Sequence, residues 1–429
     1  MRCVRDRLRL PSRRGRIGAL CATALVGACA ALGPALAGAQ TTSTTTSTTA
    51  TSTTATSTTS TGGATTTTTS TSTSTTTTKA GAPSLSAVQE KYLRLAETGI
   101  DVQSARWRTS QDGGWYCEIL GCTGTYPLLT IWGVVRMFES VDATELAYPS
   151  AAHRAAVDHY ANDAAKLYWN KYLNGYDPYP GDDYPAAQAW FDDNGWLGLA
   201  FMDAYQATGE RRWVGDAQRA LSFIAANGWS GGGPGGGMWW NTQHQQKSGE
   251  ALAADSLLAI LLYDANHDGS DLRDAQEWID WANQFDVGFR GLYDSQGPRS
   301  SIIDYVEAPL IYGQYLLCQA LHRQDYCNHA AAQASTLSRV YGTAYNLAPL
   351  YDSIFFQWMM AYDKATGQTH WIGVAEQNAS AAMSHATIGD GLWLGSWWGG
   401  AIHDPNTQPG MFRTMAGTTS LYAWLAYYA

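Results

Sequence analysis

A recurring helical phrase constrains this chain more than any single motif does. A glycine or polar turn is followed by an aromatic residue or Leu, then by Ala a helical turn on, then by large apolar residues. It reads Gly209, Trp213, Ala217, Leu221, then Gly269, Leu272, Ala275, Trp278, then Gln324, Tyr326, Ala330, Leu337 and, more faintly, Gly367, Trp371, Ala375. Offsets of three and four residues put these side chains on one face of a helix. Each copy follows a helix of another character, apolar all round, with small residues for close approach, as in Leu197-Gly198-Leu199-Ala200. These partners lie near 128–140, 187–207, 248–264, 306–322, 350–364 and 414–428, and helices of that kind are buried on most sides. The copies, with 86–98 and 152–172, supply an amphipathic outer set. Helix pairs of this sort must stack to bury their faces, either as an open solenoid or as a closed ring. The final helix, running to Ala429, carries no obvious polar cap, which favours closure. The expected fold is all-α, an (α/α)6 barrel of six helical hairpins with an inner and an outer ring.

The barrel occupies 80–429, because what precedes it cannot bury a core. Residues 1–39 read as a secretion signal peptide: seven Arg in the first 16 residues, an Ala-rich apolar run broken by Pro34, and a small-residue cleavage site at Ala37-Gly38-Ala39. Ser12-Arg13-Arg14 resembles a twin-arginine signal, and Val26-Gly27-Ala28-Cys29 resembles a lipoprotein cleavage site that would leave a lipid on Cys29 and tether the protein to a membrane. Residues 40–79 are a Thr/Ser-rich low-complexity linker with almost nothing apolar to bury. The expected location is secreted or cell-surface, and the expected state is a monomer. Beyond the leader the cysteines are Cys117, Cys122, Cys318 and Cys327. An even number in an oxidising compartment suggests disulfides, and closeness in sequence favours Cys117–Cys122 and Cys318–Cys327 among three connectivities. Their spacing does not suit zinc.

Charge removes one class of partner. The whole chain carries -10, but the leader holds seven of its 27 basic and one of its 37 acidic residues, which leaves the remainder at -16. Such a chain gains nothing from phosphate neutralisation, so nucleic acid is excluded. A neutral polymer suits it better than an anionic one. Among aromatics, 18 Trp and 24 Tyr stand against 9 Phe, and rings with a polar edge suit both a core and a wet stacking surface.

The connections into the inner helices carry the chemistry. They hold Trp190-Phe191-Asp192-Asp193-Asn194-Gly195-Trp196, the run from Gly231 to Gly237 followed by Met238-Trp239-Trp240, the stretch Gly291-Leu292-Tyr293-Asp294, and Trp393 to Gly400 with Trp397. Aromatic faces stack on sugar rings, Asp, Asn and Gln hold hydroxyls, and glycine lets backbone approach a ligand. Asp192 and Asp193 are adjacent carboxylates in an aromatic setting. Their mutual repulsion splits their pKa values into one acid and one base. Retaining glycoside hydrolysis uses two carboxyls about 5–5.5 Å apart, one as nucleophile and one as acid/base. The plain alternative is two acids favouring a helix N-terminus. Asp182-Asp183 competes, but its Tyr/Pro/Gly-rich surroundings suggest a loop or rim. The glycine run lacks the GK[ST] ending of a phosphate loop, and neither HExxH nor GxSxG occurs. His244, His322, His385 and His403 read as structural or rim residues, so no metal and no cofactor is expected.

Together these stretches resemble glycoside hydrolase family 76, the α-1,6-mannanases. Phe191-Asp192-Asp193-Asn194-Gly195-Trp196-Leu197-Gly198-Leu199, with Asp203-Ala204-Tyr205 and Thr208-Gly209, is similar to the family's DDNAWW…LLDAY…TG run. Gly236-Gly237-Met238-Trp239-Trp240 is similar to its GGGIWW segment. Tyr312-Gly313-Gln314 resembles its YNQG segment, with Gly313 in place of Asn and Tyr315 in place of Gly. The resemblance implies an (α/α)6 barrel with a cleft on one face and endo-acting, retaining cleavage of α-mannan backbones. Asp192 would be the nucleophile and Asp193 the general acid/base. Trp190, Asn194, Trp196, Gly237, Trp239, Trp240, Asp294, Tyr312, Gln314 and Trp397 are the expected substrate-binding residues, and a polysaccharide is the expected partner. Two other readings remain open: a non-catalytic extracellular glycan-binding protein, and another (α/α)6 carbohydrate-active enzyme such as an epimerase or lyase.

Overall fold

The structure is a computed structural model that describes residues 84–429 apart from 110–113, 124–127, 182–187, 298–299, 390, 394, 401–407 and 409. The signal peptide, the linker to residue 79, Cys29, Asp182-Asp183 and His403 lie outside the described residues. Among the described residues are twelve α-helices. Six form an inner ring: α2 (Ile131–Ala147), α4 (Phe191–Thr208), α6 (Gly249–Asn266), α8 (Asp304–Leu321), α10 (Pro349–Thr366) and α12 (Phe412–Tyr428). Six lie outside them: α1 (Ala87–Arg106), α3 (Ala151–Leu167), α5 (Arg211–Asn227), α7 (Gly269–Phe285), α9 (Gln324–Tyr341) and α11 (His370–Ala381). Each inner helix packs on the next, and α12 returns to pack on α2. The ring is closed, and the solenoid alternative falls.

Burial follows the sequence pattern. Every residue of α2 except Trp132 and Leu146 is buried, and so is nearly all of α4, α10 and α12. The outer helix α5 buries one stripe, with Trp213, Ala217, Leu221 and Ile224 inward. The expected α2 stopped near 140, yet the helix runs two turns further. Its polar residues Glu139, Asp142 and Thr144 are buried inside the barrel rather than marking an exit. The third helix ends at Leu167 because Trp169–Asn170 (β1) pairs antiparallel with Gly175–Tyr176 (β2). A second small hairpin joins β3 (Thr387–Gly389) and β4 (Leu392–Trp393).

The two ends of the ring differ. Helices α4, α6, α8 and α10 each end on a left-handed residue, Gly209, His267, His322 and Gly367, which turns the chain into the next outer helix within three residues. Such caps satisfy the last helical carbonyls and make tight corners. At the other mouth the chain returns through long connections. Disulfides Cys117–Cys122 and Cys318–Cys327 are both present, the first before α2 and the second tying α8 to α9. Among the described residues no helix is long and apolar enough to cross a membrane.

Close approach between inner helices depends on missing side chains. A Cβ on Gly417 of α12 would lie 2.3 Å from the carbonyl carbon of Pro349, where α10 begins, and backbone there cannot step aside. Gly215, on the exposed side of α5, meets nothing within 4 Å. Opposite signs follow. Gly417→Ala destabilises by roughly 1–3 kcal/mol through overpacking, whereas Gly215→Ala stabilises by up to about 1 kcal/mol through helix propensity. Thermal denaturation of the two variants checks this, and equal shifts of the same sign would contradict the packing described.

Candidate active site

The long connections deliver the N-termini of the inner helices to one mouth. Those first turns are acidic: Asp192 and Asp193 on α4, Glu250 on α6, Asp304 and Glu307 on α8, and Asp352 on α10. The free N–H groups and dipole of each helix start favour an acid there. On α4 the N-cap is Trp190, whose side chain makes no cap hydrogen bond, so the first-turn N–H groups remain available to carboxylates.

Asp192 and Asp193 are 7% and 8% exposed. The indole Nε1 of Trp240 donates to Asp192 Oδ2 at 3.0 Å, and Asp192 Oδ1 has no hydrogen-bond partner among the described residues. Burial pushes the Asp192 carboxyl up to about 6, restrained by the Trp240 hydrogen bond and by backbone N–H groups. Asp193 is held well above the usual carboxylate range by burial and by the charge of Asp192, against the pull of Arg413. The pair is therefore divided between one carboxyl that ionises near neutrality and one that keeps its proton.

Several neighbours escaped the sequence reading. Glu250 feels the charge of Asp192 and takes a hydrogen bond from Tyr305, and burial with that charge lifts it to about 8. Glu118, next to the Cys117–Cys122 bridge, accepts from the Thr130 backbone N–H at 3.0 Å and hydroxyl at 2.6 Å, while Arg413 Nη2 reaches its other oxygen at 2.8 Å. It thereby anchors the start of α2 and brings a guanidinium near Asp193. Trp132, Trp196, Tyr305 and Tyr351, from four inner helices, pack with ring centroids 4.8–6.4 Å apart and floor the mouth. The signal for these was an aromatic residue beside a first-turn acid, Asp304-Tyr305 and Tyr351-Asp352, which repeats the pattern of Phe191-Asp192.

Of the expected substrate-binding residues, the structure brings Trp190, Trp196 and Trp240 to this mouth. Trp196 is fully buried in the floor, and Trp190 and Trp240 are half-buried. Asn194 points away: its Oδ1 accepts from the Tyr176 N–H at 2.8 Å, and its Nδ2 donates to the Tyr176 carbonyl at 2.9 Å and the Trp190 carbonyl at 2.8 Å. It braces α4 against β2. Gly237 faces Trp281, whose ring a Cβ would meet at 2.5 Å, so this glycine serves packing. The Trp239 ring lies under Lys247 Nζ at 3.3 Å and stacks on His244 at 5.4 Å.

Four expected residues do not join the pair. Asp294 is buried next to Gly288 and near Asp286. Tyr312 is eight residues into α8 and lines the opposite mouth. Gln314 is buried among Tyr293, Asn283, Gln333 and His329 on the outward side of α8. Trp397 is core, its indole donating to Thr418 Oγ1 at 2.9 Å. Among the described residues no three His, Cys, Asp or Glu side chains are grouped to hold a metal ion.

A closed double ring of helices thus sets paired carboxyls of unequal proton affinity at one aromatic mouth. The model for Glycosyl hydrolase family 76 matches residues 118–295, and over that stretch the chain resembles the family's glycoside hydrolases. No curated relative matches the sequence. Among solved structures, a family 76 glycoside hydrolase from a bovine Bacteroides thetaiotaomicron strain superposes with a TM-score of 0.69 at 16% identity, over 78% of this chain and 77% of that one. The GH76A α-1,6-mannanase of Salegentibacter sp. HEL1_6 gives 0.64 at 17% identity, over 79% and 100%. An inactive variant of that mannanase, with two neighbouring aspartates replaced by asparagine, is solved in complex with α-1,6-mannotriose and gives 0.62 at 16%.

Burial of Asp192 has a cost in stability with a definite sign. Its folded pKa of about 6 lies above the ordinary 3.8, so only the protonated form is well accommodated. The native state therefore keeps this contribution below pH 4 and loses it as pH rises through 6. Asp192→Asn should be more stable than the parent at pH 7 by on the order of 2–3 kcal/mol, with the gain gone by pH 4. Denaturant melts at the two pH values measure it.

Proposed function

We propose that the chain is a secreted, endo-acting, retaining glycoside hydrolase that cleaves α-1,6-linked mannan backbones. The observation that carries this is the adjacent buried pair Asp192 and Asp193, split by environment at an open, aromatic mouth. It is supported by the family match and by the relative whose two neighbouring aspartates are replaced in an inactive mannotriose complex. In this reading residues 1–39 direct export, 40–79 space the domain from its surroundings, and 80–429 catalyse. The two disulfides fit an oxidising compartment.

Asp192, ionised and steadied by Trp240, attacks the anomeric carbon. Asp193, still protonated, gives its proton to the departing glycosidic oxygen. A covalent glycosyl ester on Asp192 results, and Asp193, now a base, takes a proton from the water that attacks the same carbon and frees Asp192. Two inversions leave the anomeric configuration retained. The Trp132, Trp196, Tyr305 and Tyr351 floor keeps water from the buried side of the pair.

Asp192→Asn and Asp193→Asn each lower kcat on α-1,6-mannan by at least about 100-fold while circular dichroism is unchanged. NMR of the first product should show the α anomer; an initial β anomer, or near-parent activity in both variants, would remove the assignment. The activity limb on the acid side follows Asp192 and lies near pH 6. Trp240→Phe removes the hydrogen bond that favours the ionised form, so this limb moves upward by about one pH unit. A pH–rate profile of kcat/KM reads the shift directly.

A further inference from the structure

The ring has a second mouth, where the inner helices end, and it holds a cavity of about 320 Å³. That is at the lower end of the range of roughly 300–1,000 Å³ typical of small-ligand sites. Its walls come from α4, α6, α8, α10 and α12, and include Asp203, Gln206, Asp264, Tyr312, Trp358 and Tyr428. Because the turns at this end are short, helix ends rather than loops shape the opening, and its walls are held rigid by the ring itself.

The chemistry of the lining is specific. Tyr312 and Trp358 lie nearly parallel, 20° apart with centroids at 6.0 Å, and form a flat apolar wall. At the base Asp203 is buried, and its Oδ2 is fixed by the Gln357 amide at 2.9 Å. Gln206 and Asp264 stand at the exposed rim. A flat aromatic wall with carboxyl and amide groups around it suits a ligand with an apolar face and a hydroxylated edge. An anionic ligand would meet two carboxyls. Arg211, outside the lining, covers the ring of the wall residue Tyr205 at 5.8 Å and donates to the Ala265 carbonyl at 3.0 Å. Burial and the Glu139 charge hold Asp203 well above the ordinary carboxylate range, so it can donate to a hydroxyl as a neutral acid.

We propose that this second mouth is a non-catalytic carbohydrate-binding site that takes a neutral hexose unit of an oligosaccharide. It rests on the reading above only for the identity of the sugar. It would hold a second stretch of the polymer, or a released product, on the face opposite the catalytic pair.

The test is calorimetric titration of the full chain carrying Asp192→Asn and Asp193→Asn with α-1,6-mannotriose. A site is expected whose affinity falls by at least about tenfold on adding Tyr312→Ala. Should that variant fold poorly, Asp264→Ala at the exposed rim is expected to weaken the same site by about threefold, in the range of one lost hydrogen bond. Binding that neither substitution changes, or no binding beyond the catalytic mouth, overturns the proposal. The two readings fail separately. If the unaltered chain leaves α-1,6-mannan uncut while Tyr312-dependent binding persists, the catalytic assignment falls and the second site stands. If mannan is cleaved and no Tyr312-dependent site exists, the reverse holds.

Discussion

One buried guanidinium organises the interior of this ring. Arg136 is 1% exposed, donates to Gln357 Oε1 at 3.0 Å, and pairs with Glu139 at 2.5 Å. Gln357 in turn donates to Asp203, and the guanidinium lies 6.0 Å from the Trp196 ring. These contacts join α2, α4 and α10 across the barrel axis. A charge this deep is stable only while its partners remain, and breaking such a pair typically costs about 3–5 kcal/mol. The axis is thus a polar column between two mouths, capped at the Asp192–Asp193 end by Trp132, Trp196, Tyr305 and Tyr351. Register between inner helices is set by hydrogen bonds there as well as by packing, and the position of Asp192 above the floor follows from that register.

The acidic balance of the chain is spent unevenly. Most inner helices open with an acid, which the helix start favours, but the mouth buries those acids, which raises their proton affinity. Asp304 and Asp352 show the same conflict as Asp192 and Asp193: both are 1% exposed, hydrogen-bonded to each other, and pushed upward by burial. The two effects do not cancel, because the dipole acts over one turn and is worth about a kilocalorie per mole, while full burial shifts a carboxyl by several pK units. Carboxyls held above their ordinary range are the result, and such groups concentrate where acid–base chemistry is done. Only α12 begins with a base, Arg413, whose charge draws the raised Asp193 carboxyl part of the way back.

The ring was legible because its signal is periodic. Alternating amphipathic and uniformly apolar helices, each pair closed by a turn residue, leave little choice but stacking, and the inner and outer assignments match the structure helix for helix. Asp192 and Asp193 could be read as a pair because they are adjacent in the first turn of α4, whereas Trp240 reaches Asp192 from the connection before α6. Tyr312 and Gln314 were misplaced for a geometric reason. At 1.5 Å per residue, eight residues into α8 is about 12 Å from the mouth, so a motif read from adjacency lands halfway down the barrel. Two residues along the same helix then point outward, where Gln314 finds Tyr293 and Gln333. Glu250 and Tyr305 went unread because what joins them to the pair is the facing of α4, α6 and α8, which no local spacing records.

The excess of Trp and Tyr over Phe takes its meaning from the same geometry. Many of these rings are core. Trp115 donates to Tyr168 at 2.9 Å, Tyr168 donates to the Leu129 carbonyl at 2.6 Å, Tyr293 to Asn283 at 2.5 Å, and Trp397 to Thr418. A two-layer ring buries inner helices on every side, so helix-end carbonyls and polar side chains fall inside it and need donors. A phenol or indole supplies one donor and a large apolar body together, which a Phe cannot. Tyr305 and Trp240 use that capacity at the mouth, on Glu250 and Asp192. The feature that satisfies the core elsewhere becomes, beside a carboxylate, the means of deciding whether it holds its proton.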